Sequence, residues 1–240
     1  MKNYYKRVLL KLSGEALKGD ASAILDAERL KEIAKAIDVM VKRGVEVCVV
    51  VGAGNIWRGN LAKSIGIDQS QADYMGMLGT VINALALQSA LENIGLSTRV
   101  MSAIQMNEIA EPYIQKKAIH HLEKGIVVIF GGGTGNPYFT TDTCATLRAC
   151  ETHCDAILMA KNGVDGVYSK DPRKNKDAIF YKNLTFKDVL QNDLKVMDGT
   201  AVGLCMGKDI EIRVFSMQDP NNFVKILDGE DIGTTIRNGD

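Results

Sequence analysis

Short apolar runs alternate along the chain with longer segments in which apolar residues recur every third or fourth position. The short runs are typical of strands buried on both faces, and the longer segments have the period of amphipathic helices. Strands are predicted at residues 7–12, 45–51, 97–101, 126–130, 156–160, 210–215 and 234–236, and helices at 26–43, 72–94, 114–124 and 200–206, with another starting within 144–150. This alternation predicts an α/β fold with a mostly parallel sheet that helices cover on both faces.

Two of the predicted helices differ in how much polar surface they have. The helix at 26–43 has one apolar face, with Asp26 as its expected N-cap and Gly44 after its end. The helix at 72–94 is apolar on more than one face, so we expect it to pack against another subunit as well as the sheet. No run of about 18 uninterrupted apolar residues occurs, so no membrane-spanning segment is expected.

A second half-sheet is predicted from about residue 155 onward, without a Pro/Ser-rich linker before it. We therefore expect a single domain over residues 1–240, with an N-terminal part of about 1–155 and a C-terminal part of about 156–240. The formal net charge is zero, so no global positive field favours nucleic acid binding. Five cysteines without disulfide spacing, and no signal peptide, favour a reducing cytoplasm.

A glycine-rich loop, residues 131–142, connects the strand predicted at 126–130 to the next helix. Glycines at a strand-to-helix turn let backbone N–H groups approach an anion, and the helix N-terminus adds the positive end of its dipole. Threonines and Asn136 offer polar groups to a ligand, and Asp142 places a carboxylate at the mouth of the loop. The alternative is a plain glycine turn with a Thr/Asp helix cap.

Two other strand ends carry candidate phosphate-binding groups. Lys11 lies at the carboxyl end of the first predicted strand, where open α/β sheets bind ligands, although it could also be a solvated lysine. Residues 52–59 form a second glycine loop containing Arg58, whose guanidinium could bridge phosphate oxygens with two hydrogen bonds. Together these groups predict a site for a polyphosphate or for two phosphorylated ligands.

The dipeptide Asp165-Gly166 predicts a hairpin turn between β-forming residues. Asn162, Tyr168 and Asp171 lie on or beside this hairpin. An aromatic ring together with amide and carboxylate groups suits the base and the hydroxyls of an adenosine. This segment is therefore the candidate nucleoside site.

Phosphoryl transfer is the chemistry that these positions favour. The reaction requires two oxygens held in line and neutralisation of the charge on the moving phosphoryl. Lys11 and Arg58 would supply positive charge, while Asp142, Asp171 and Asp198 would orient the lysine or contact a hydrated metal. The Walker pattern and the protein-kinase glycine loop are both absent from the sequence. A dinucleotide-binding oxidoreductase, whose G-x-G-x-x-G register fails here, and a non-catalytic nucleotide sensor are the alternatives.

Six motifs extend these observations over nearly the whole chain. They are Lys11-Leu12-Ser13-Gly14-Glu15-Ala16-Leu17, Gly52-x-Gly54-Asn55-x-x-Arg58-Gly59, Asp73-x-Met75-Gly76-Met77, Gly133-Thr134-Gly135-Asn136-Pro137-x-Phe139-Thr140-Thr141-Asp142, Asp165-Gly166-Val167-Tyr168-x-x-Asp171-Pro172 and Lys195-Val196-Met197-Asp198. Together they resemble the bacterial UMP kinase family of the amino acid kinase superfamily. The first and fifth motifs also fit other superfamily members, including aspartate and acetylglutamate kinases, whereas the third and fourth are more specific to UMP kinases.

The resemblance implies a three-layer αβα sandwich with a mainly parallel central sheet. It also implies transfer of the ATP γ-phosphoryl to UMP, in de novo pyrimidine nucleotide biosynthesis, with Mg²⁺ held through the ATP phosphates and no protein metal site. Phosphorylation of aspartate or acetylglutamate is the alternative within the superfamily. The N-terminal part would bind UMP and the C-terminal part ATP. Such enzymes are typically homohexamers built from dimers, are commonly inhibited by UTP and are often activated by GTP.

The resemblance also assigns individual residues. It implies ATP contacts from Lys11, Leu12, Ser13, Gly14, Gly54, Arg58, Asn162, Tyr168 and Asp171, UMP contacts from Ala53, Asp73, Thr134, Gly135, Asn136, Pro137, Tyr138, Phe139, Thr140 and Thr141, and catalytic roles for Lys11, Arg58, Asp142 and Asp198. Two departures from the family pattern stand out. Ala53 replaces a common glycine, and residues 20–24 lack the Gly-Phe-Gly pattern of many GTP-responsive members, which puts GTP activation in question.

Overall fold

Every apolar run that predicts a strand forms one in the computed structural model, which describes residues 3–18, 23–161, 163–219 and 221–239. The strands are β1 (Arg7–Leu12), β2 (Glu46–Val51), β3 (Thr98–Ser102), β4 (Glu111–Pro112), β5 (Val127–Gly131), β6 (Ala156–Lys161), β7 (Val167–Tyr168), β8 (Phe180–Tyr181), β9 (Asn183–Thr185), β10 (Glu211–Ser216) and β11 (Thr234–Arg237). The ends of the predicted strands differ from the observed ones by at most one residue, which is within the usual spread of assigned ends.

A helix is present at every predicted position, and further short helices occur elsewhere. The helices are α1 (Glu15–Lys18), α2 (Ala27–Lys42), α3 (Gly59–Ser64), α4 (Gln69–Glu92), α5 (Gln115–Glu123), α6 (Thr141–Glu151), α7 (Phe186–Gln191), α8 (Gly199–Lys208) and α9 (Asn221–Leu227). Asp26 caps α2 as predicted, because its side chain accepts a hydrogen bond from the Arg29 N–H. Helix α6 begins before residue 144, because the Thr140 hydroxyl caps it by accepting from the N–H groups of Asp142 and Thr143.

The central sheet has nine strands in the order β4-β3-β5-β2-β1-β6-β10-β11-β9. All neighbouring pairs are parallel except β10 with β11, so the sheet is mostly parallel as predicted. Strand β11 is not at the edge of the sheet, because β9 pairs with its outer side. Strand β1 lies between β2 and β6, where the direction of chain progression reverses, and ligands bind at the carboxyl ends of strands at such points.

Alternate side chains of β1 enter separate cores on the two faces of the sheet. On one face, Val8, Leu10 and Leu12 pack with apolar side chains of α2, α4 and α9. On the other face, Leu9 packs with residues of α5, α6, α7 and α8. All four of these β1 side chains are fully buried. The result is three layers with the sheet in the middle, and Lys11 is the polar exception near the end of an otherwise buried strand.

The predicted turn at Asp165-Gly166 is wrong. Strand β7 pairs with β8, so the hairpin closes through residues 169–179 and not at this dipeptide. Gly166 instead fills a tight contact, since a Cβ there would lie 2.6 Å from Thr234 Oγ1 and 2.7 Å from Phe180 Cε2. The glycine is therefore required by packing between the hairpin and the sheet.

Helix α4 is the one helix in the described part of the chain that is long and apolar enough to span a membrane. Its Leu87 and Leu91 are fully buried against the sheet, and its Asn83 side chain donates to the carbonyl of Gly52 over 2.8 Å. A buried core helix meets the same length and hydropathy criteria as a membrane span. The packing of α4 therefore explains the apolar residues on its buried face.

Candidate active site

Lys11 and Asp142 form an ion pair at the carboxyl end of β1. The distance from Lys11 Nζ to Asp142 Oδ1 is 2.8 Å, and the two side chains are 14% and 21% exposed. Asp142 lies in the first turn of α6, where the positive end of the helix dipole favours a carboxylate. A partly desolvated ammonium therefore stands where three neighbouring strands end, with one carboxylate to orient it.

The lysine turn and the second glycine loop pack against each other beside this pair. A Cβ at Gly14 would lie 2.7 Å from the backbone nitrogen of Gly54, so no larger residue fits there without a shift. Asn55 joins the same loop to α4 through reciprocal hydrogen bonds with Asn83 of 3.1 and 2.8 Å. The backbones predicted to contact ATP phosphates are thus held together and are anchored on a core helix.

Arg58 lies at the mouth of the site rather than on the Lys11–Asp142 pair. Its guanidinium pairs with the Glu15 carboxylate and donates to the Gly54 carbonyl over 3.1 Å. The Arg58 side chain is 68% exposed. An incoming phosphate would have to compete with Glu15 for this guanidinium.

A cavity of about 270 Å³ lies on the α4 side of the pair. Five residues of the predicted UMP site line it, namely Ala53, Asp73, Phe139, Thr140 and Thr141. The other predicted residues, Thr134, Gly135, Asn136, Pro137 and Tyr138, continue the same loop but do not line the cavity. The structure therefore brings the second glycine loop, the start of α4 and the loop of residues 131–142 to one pocket.

Helix α4 holds the loop of residues 131–142 at two points. The Thr80 hydroxyl accepts a hydrogen bond from Gly132 N over 2.9 Å, and Asp73 Oδ2 accepts one from Tyr138 N over 2.8 Å. Tyr138 has a φ of 70°, which is uncommon for a non-glycine residue, and its side chain is 72% exposed. The Asp73 contact therefore supports a strained turn next to the cavity.

Asp198 contacts the same loop from the other side. It caps α8 by accepting from Ala201 N over 3.0 Å, and it also accepts from the hydroxyls of Thr140 and Thr143. Burial acts to raise the pKa of the Asp198 carboxyl, but the hydrogen bonds from Thr140, Ala201 and Thr143 outweigh it and leave the pKa below its usual range. Because Thr140 in turn caps α6, Asp198 helps to place the helix turn that carries Asp142.

A second cavity, of about 570 Å³, lies on the other side of β6 and is lined by the β7 hairpin and residues 193–196. Tyr168 and Asp171, two residues of the predicted nucleoside site, both line it. Tyr168 donates to Asp165 Oδ1 over 2.7 Å, and Asp171 accepts two hydrogen bonds from Arg173 of 2.9 and 3.0 Å. Asn162 lies outside the described residues.

A smaller cavity, of about 320 Å³, contains Lys11 and adjoins the cavity of about 570 Å³. Ser13 and Glu15 of the lysine turn line it, and Lys161 and Arg173 line both cavities. The cavities of about 570 and 320 Å³ thus share Lys161 and Arg173, the second of them contains Lys11, and the cavity of about 270 Å³ is lined by Thr140 and Thr141, which precede Asp142. This arrangement suits transfer of a phosphoryl group between two phosphorylated molecules.

Comparison with known proteins supports the same chemistry. The sequence pattern of the amino acid kinase family matches residues 6–216. The chain belongs to the amino acid kinase family. It is 53% identical to a uridylate kinase of Limosilactobacillus reuteri (strain DSM 20016) over 232 residues, which is 97% of each chain.

Solved structures share both the fold and the sequence of this amino acid kinase. The crystal structure of UMP kinase from Bacillus anthracis matches with a TM-score of 0.95 and 45% identity, covering 98% of this chain and 97% of that one. The UMP kinase structure from Ureaplasma parvum matches with a TM-score of 0.91 and 42% identity, covering 97% and 98%. The predicted αβα sandwich and the resemblance to bacterial UMP kinases are both confirmed.

The amino acid kinase fold explains how the Ala53 departure is accommodated. Ala53 does not have a positive φ, so its N–H can keep the direction expected of a ligand contact. Its methyl group faces Gly79 of α4, where an added Cβ would lie only 2.9 Å away. The Ala53 methyl group therefore fits in the loop because residue 79 on the helix is a glycine, which has no side chain.

Three residues of the site were missed by the sequence analysis of this amino acid kinase. Trp57 lines the cavity of about 270 Å³, and Lys161 and Arg173 line both of the other two cavities. Lys161 had a signal in the sequence, since it ends an apolar strand in the same way that Lys11 does. Trp57 and Arg173 lie in loops, and no periodic pattern marks where a loop side chain points.

Proposed function

We propose that this chain transfers the γ-phosphoryl group of ATP to UMP, giving UDP and ADP. The observation that carries the proposal is the Lys11–Asp142 pair between two ligand cavities, in a chain 53% identical to a uridylate kinase over 97% of both sequences. We also propose that this reaction serves de novo pyrimidine nucleotide biosynthesis in the cytoplasm, a reducing compartment that suits free cysteines.

The mechanism is direct transfer. An oxygen of the UMP phosphate forms a bond to the γ-phosphorus as the bond to the β,γ-bridging oxygen breaks, and the electron pair leaves with ADP. Lys11 neutralises charge on the transferred group, and Asp142 keeps its ammonium in place. Backbone N–H groups from Leu12, Ser13, Gly14 and Gly54 hold the ATP phosphates, and Arg58 exchanges Glu15 for a phosphate oxygen.

Mg²⁺ is expected to arrive bound to the ATP phosphates. Within the described ranges, no group of three or more His, Cys, Asp or Glu side chains could hold a metal ion. Mg²⁺ commonly needs only one or two carboxylates besides substrate phosphates, so Asp142 fits as the nearby protein carboxylate. When bound, the ion would supply charge neutralisation between the phosphates.

The acceptor site is proposed in the cavity between α4 and the loop of residues 131–142. Asp73 and the hydroxyl and amide groups of residues 134–141 would bind the uridine and its phosphate. Phe139 is 49% exposed and lines the cavity, so it offers an apolar contact to the base or the sugar. The nucleoside of ATP would occupy the larger cavity beside Tyr168 and Asp171. The proposed contact from Asn162 lies outside the described residues.

Replacing Asp73 with alanine should raise the KM for UMP by about tenfold, the usual consequence of losing a hydrogen bond to a charged group. The KM for ATP should stay unchanged, because Asp73 lies in the acceptor cavity. Asp73→Asn is the matched control, since its amide oxygen can still accept from Tyr138 N while the charge is lost. Initial rates at varied UMP measure the effect, and an unchanged KM for UMP in Asp73→Ala would remove Asp73 from the site.

Two other functions were considered, namely phosphorylation of a carboxylate such as aspartate or acetylglutamate, and nucleotide sensing without catalysis. A coupled assay of ADP release with ATP and each acceptor separates all three. We expect ADP release with UMP alone. Release with aspartate or acetylglutamate would favour the first alternative, and no release with any acceptor would favour the second.

The homohexamer is proposed from the exposed face of α4. Tyr74, Met75, Leu78 and Ile82 are 45%, 39%, 51% and 47% exposed on this helix, an apolar stripe that another subunit would cover.

UTP, which resembles the product UDP, is the proposed inhibitor. The GTP response falls on residues 20–24, most of which lie outside the described ranges.

Light scattering at micromolar concentration is expected to give a hexamer for the unmodified chain. The double variant Leu78→Glu with Ile82→Glu should dissociate it, because buried carboxylates without partners oppose association. Leu190→Glu is the matched control, since Leu190 is 47% exposed on α7, away from this stripe. A monomeric unmodified chain would contradict the proposed interface.

A further inference from the structure

Lys161 is a lysine close to Lys11 that has no role in the mechanism proposed above. Lys161 is the last residue of β6, the strand next to β1. Lys11 of β1 is in register with Met159 of β6, which lies two residues before Lys161. Because side chains two residues apart on a strand share a face, Lys161 projects from the same side of the sheet as Met159. Two lysines therefore end adjacent strands at the same edge of the sheet.

The Lys161 ammonium lacks an ionic partner. Its Nζ donates to the carbonyl oxygen of Val196 over 3.3 Å, and no ion pair with a carboxylate involves it in the described part of the chain. Burial lowers the pKa of Lys161, Lys11 lowers it further, and Asp142 acts in the opposite direction. The folded protein thus keeps an ammonium partly buried near another one, which is unfavourable unless an anion joins them.

The other charges around the small cavity already have partners. Glu15 pairs with Arg58, Arg173 pairs with Asp171, and Lys11 pairs with Asp142. Lys161 is therefore the lining charge without a counterion among the residues described there. Such an excess of positive charge is suited to a polyphosphate anion.

The position of Lys161 indicates which ligand would carry the polyphosphate that binds it. Lys161 lines the nucleoside cavity of about 570 Å³ and also the cavity of about 320 Å³ that contains Lys11 and Ser13. A nucleotide with its base in the larger cavity and its terminal phosphate at Lys11 must pass its phosphate chain between the two. Arg173 lines the same passage, but its side chain is 65% exposed and its charge is neutralised by Asp171.

We propose that Lys161 binds the polyphosphate of the donor nucleotide between the nucleoside cavity and Lys11. This inference rests on the proposed function for the identity of the donor as ATP. Lys161 holds the phosphate chain in the ground state, whereas Lys11 acts on the phosphoryl group being transferred. Loss of Lys161 therefore weakens the donor complex and leaves the acceptor site unaffected.

The alternative role of Lys161 is structural, since its contact with Val196 O could simply anchor the segment before Asp198. Lys161→Gln separates the two roles, because an amide can still donate to Val196 O but carries no charge. Lys161→Met removes both functions. Lys35→Met, at an exposed position on α2, is the control for loss of one positive charge.

The test measures binding of a non-hydrolysable ATP analogue and of ADP by calorimetry, and of adenosine by competition. We expect Lys161→Met and Lys161→Gln to bind the analogue and ADP about tenfold to a hundredfold more weakly, with adenosine unchanged. The KM for ATP should rise while the KM for UMP stays constant, and Lys35→Met should match the unmodified chain. Thermal unfolding of each variant checks that it folds.

Binding of the analogue by Lys161→Gln at the unmodified affinity would overturn the inference, and so would an equal loss of affinity for adenosine. Failure of the proposed function has a different signature. In that case the unmodified chain makes no UDP from UMP, while its affinity for the ATP analogue still depends on Lys161.

Discussion

Replacing Lys11 with alanine is expected to lower kcat by about a hundredfold or more, as loss of a transition-state charge does. Lys11 is the ammonium paired with Asp142 between the two ligand cavities, and it is only 14% exposed, so water screens its charge weakly. Its effect should appear in kcat more than in either KM, because charge on the moving phosphoryl changes as the bond breaks. Single-turnover rates with saturating ATP and UMP measure it directly.

Loss of stability must be separated from loss of catalysis in this variant. Without Lys11, the Oδ1 atom of Asp142 is left buried with no partner in the described structure. Thermal unfolding should therefore accompany the kinetics, and the double variant Lys11→Ala with Asp142→Asn removes the orphaned charge. We expect the double variant to regain stability but not turnover. Near-normal turnover in Lys11→Ala would refute the assigned role.

Replacing UMP with CMP or AMP is expected to nearly abolish turnover. A site built from hydrogen-bonding groups rejects an analogue that leaves those groups unpaired by about 10⁴-fold. The loop of residues 131–142 is suited to this, because Asp73 and Thr80 of α4 fix it at two points through Tyr138 N and Gly132 N. Polar groups on a fixed loop cannot rearrange to suit another base.

The comparison requires kcat/KM for each nucleoside monophosphate at constant ATP. The KM for ATP with the poorest measurable acceptor should stay near its value with UMP, because the donor cavity is separate. Equal rates with UMP, CMP and AMP would overturn the assignment of the acceptor. They would also remove the loop of residues 131–142 from its proposed role in recognising the base.

The sequence predicted the central strands well because their signal is local. Strands buried on both faces are mostly apolar, so β2, β5 and β6 contain continuous apolar runs, and the apolar runs of β1 and β10 are interrupted only by Lys11 and Arg213. The edge strands β4 and β9 were missed, since they are short and half-exposed and have no such run. The partner of β7 was also misplaced, because Gly166 serves packing against Thr234 and not a turn.

The candidate site was predictable where it depends on strand ends. Lys11 and the glycine loops were found because ligands gather at the carboxyl ends of parallel strands. The sequence could not indicate that Arg58 contacts Glu15 or that Asp198 accepts hydrogen bonds from Thr140 and Thr143, because these contacts join residues from different parts of the chain. The sequence likewise could not show that Lys161 lacks a counterion, because this depends on the ion pairs that the neighbouring charged residues form in the folded protein.

The most direct measurement of the central claim follows the γ-phosphoryl group itself. Purified chain is mixed with Mg²⁺, UMP and ATP labelled at the γ-phosphate, and the products are identified by mass spectrometry with hydroxylamine present to trap any acyl phosphate. The account predicts that the label appears in the terminal phosphate of UDP, with one ADP formed for each UDP. Label in inorganic phosphate alone, or no labelled UDP at all, would contradict it.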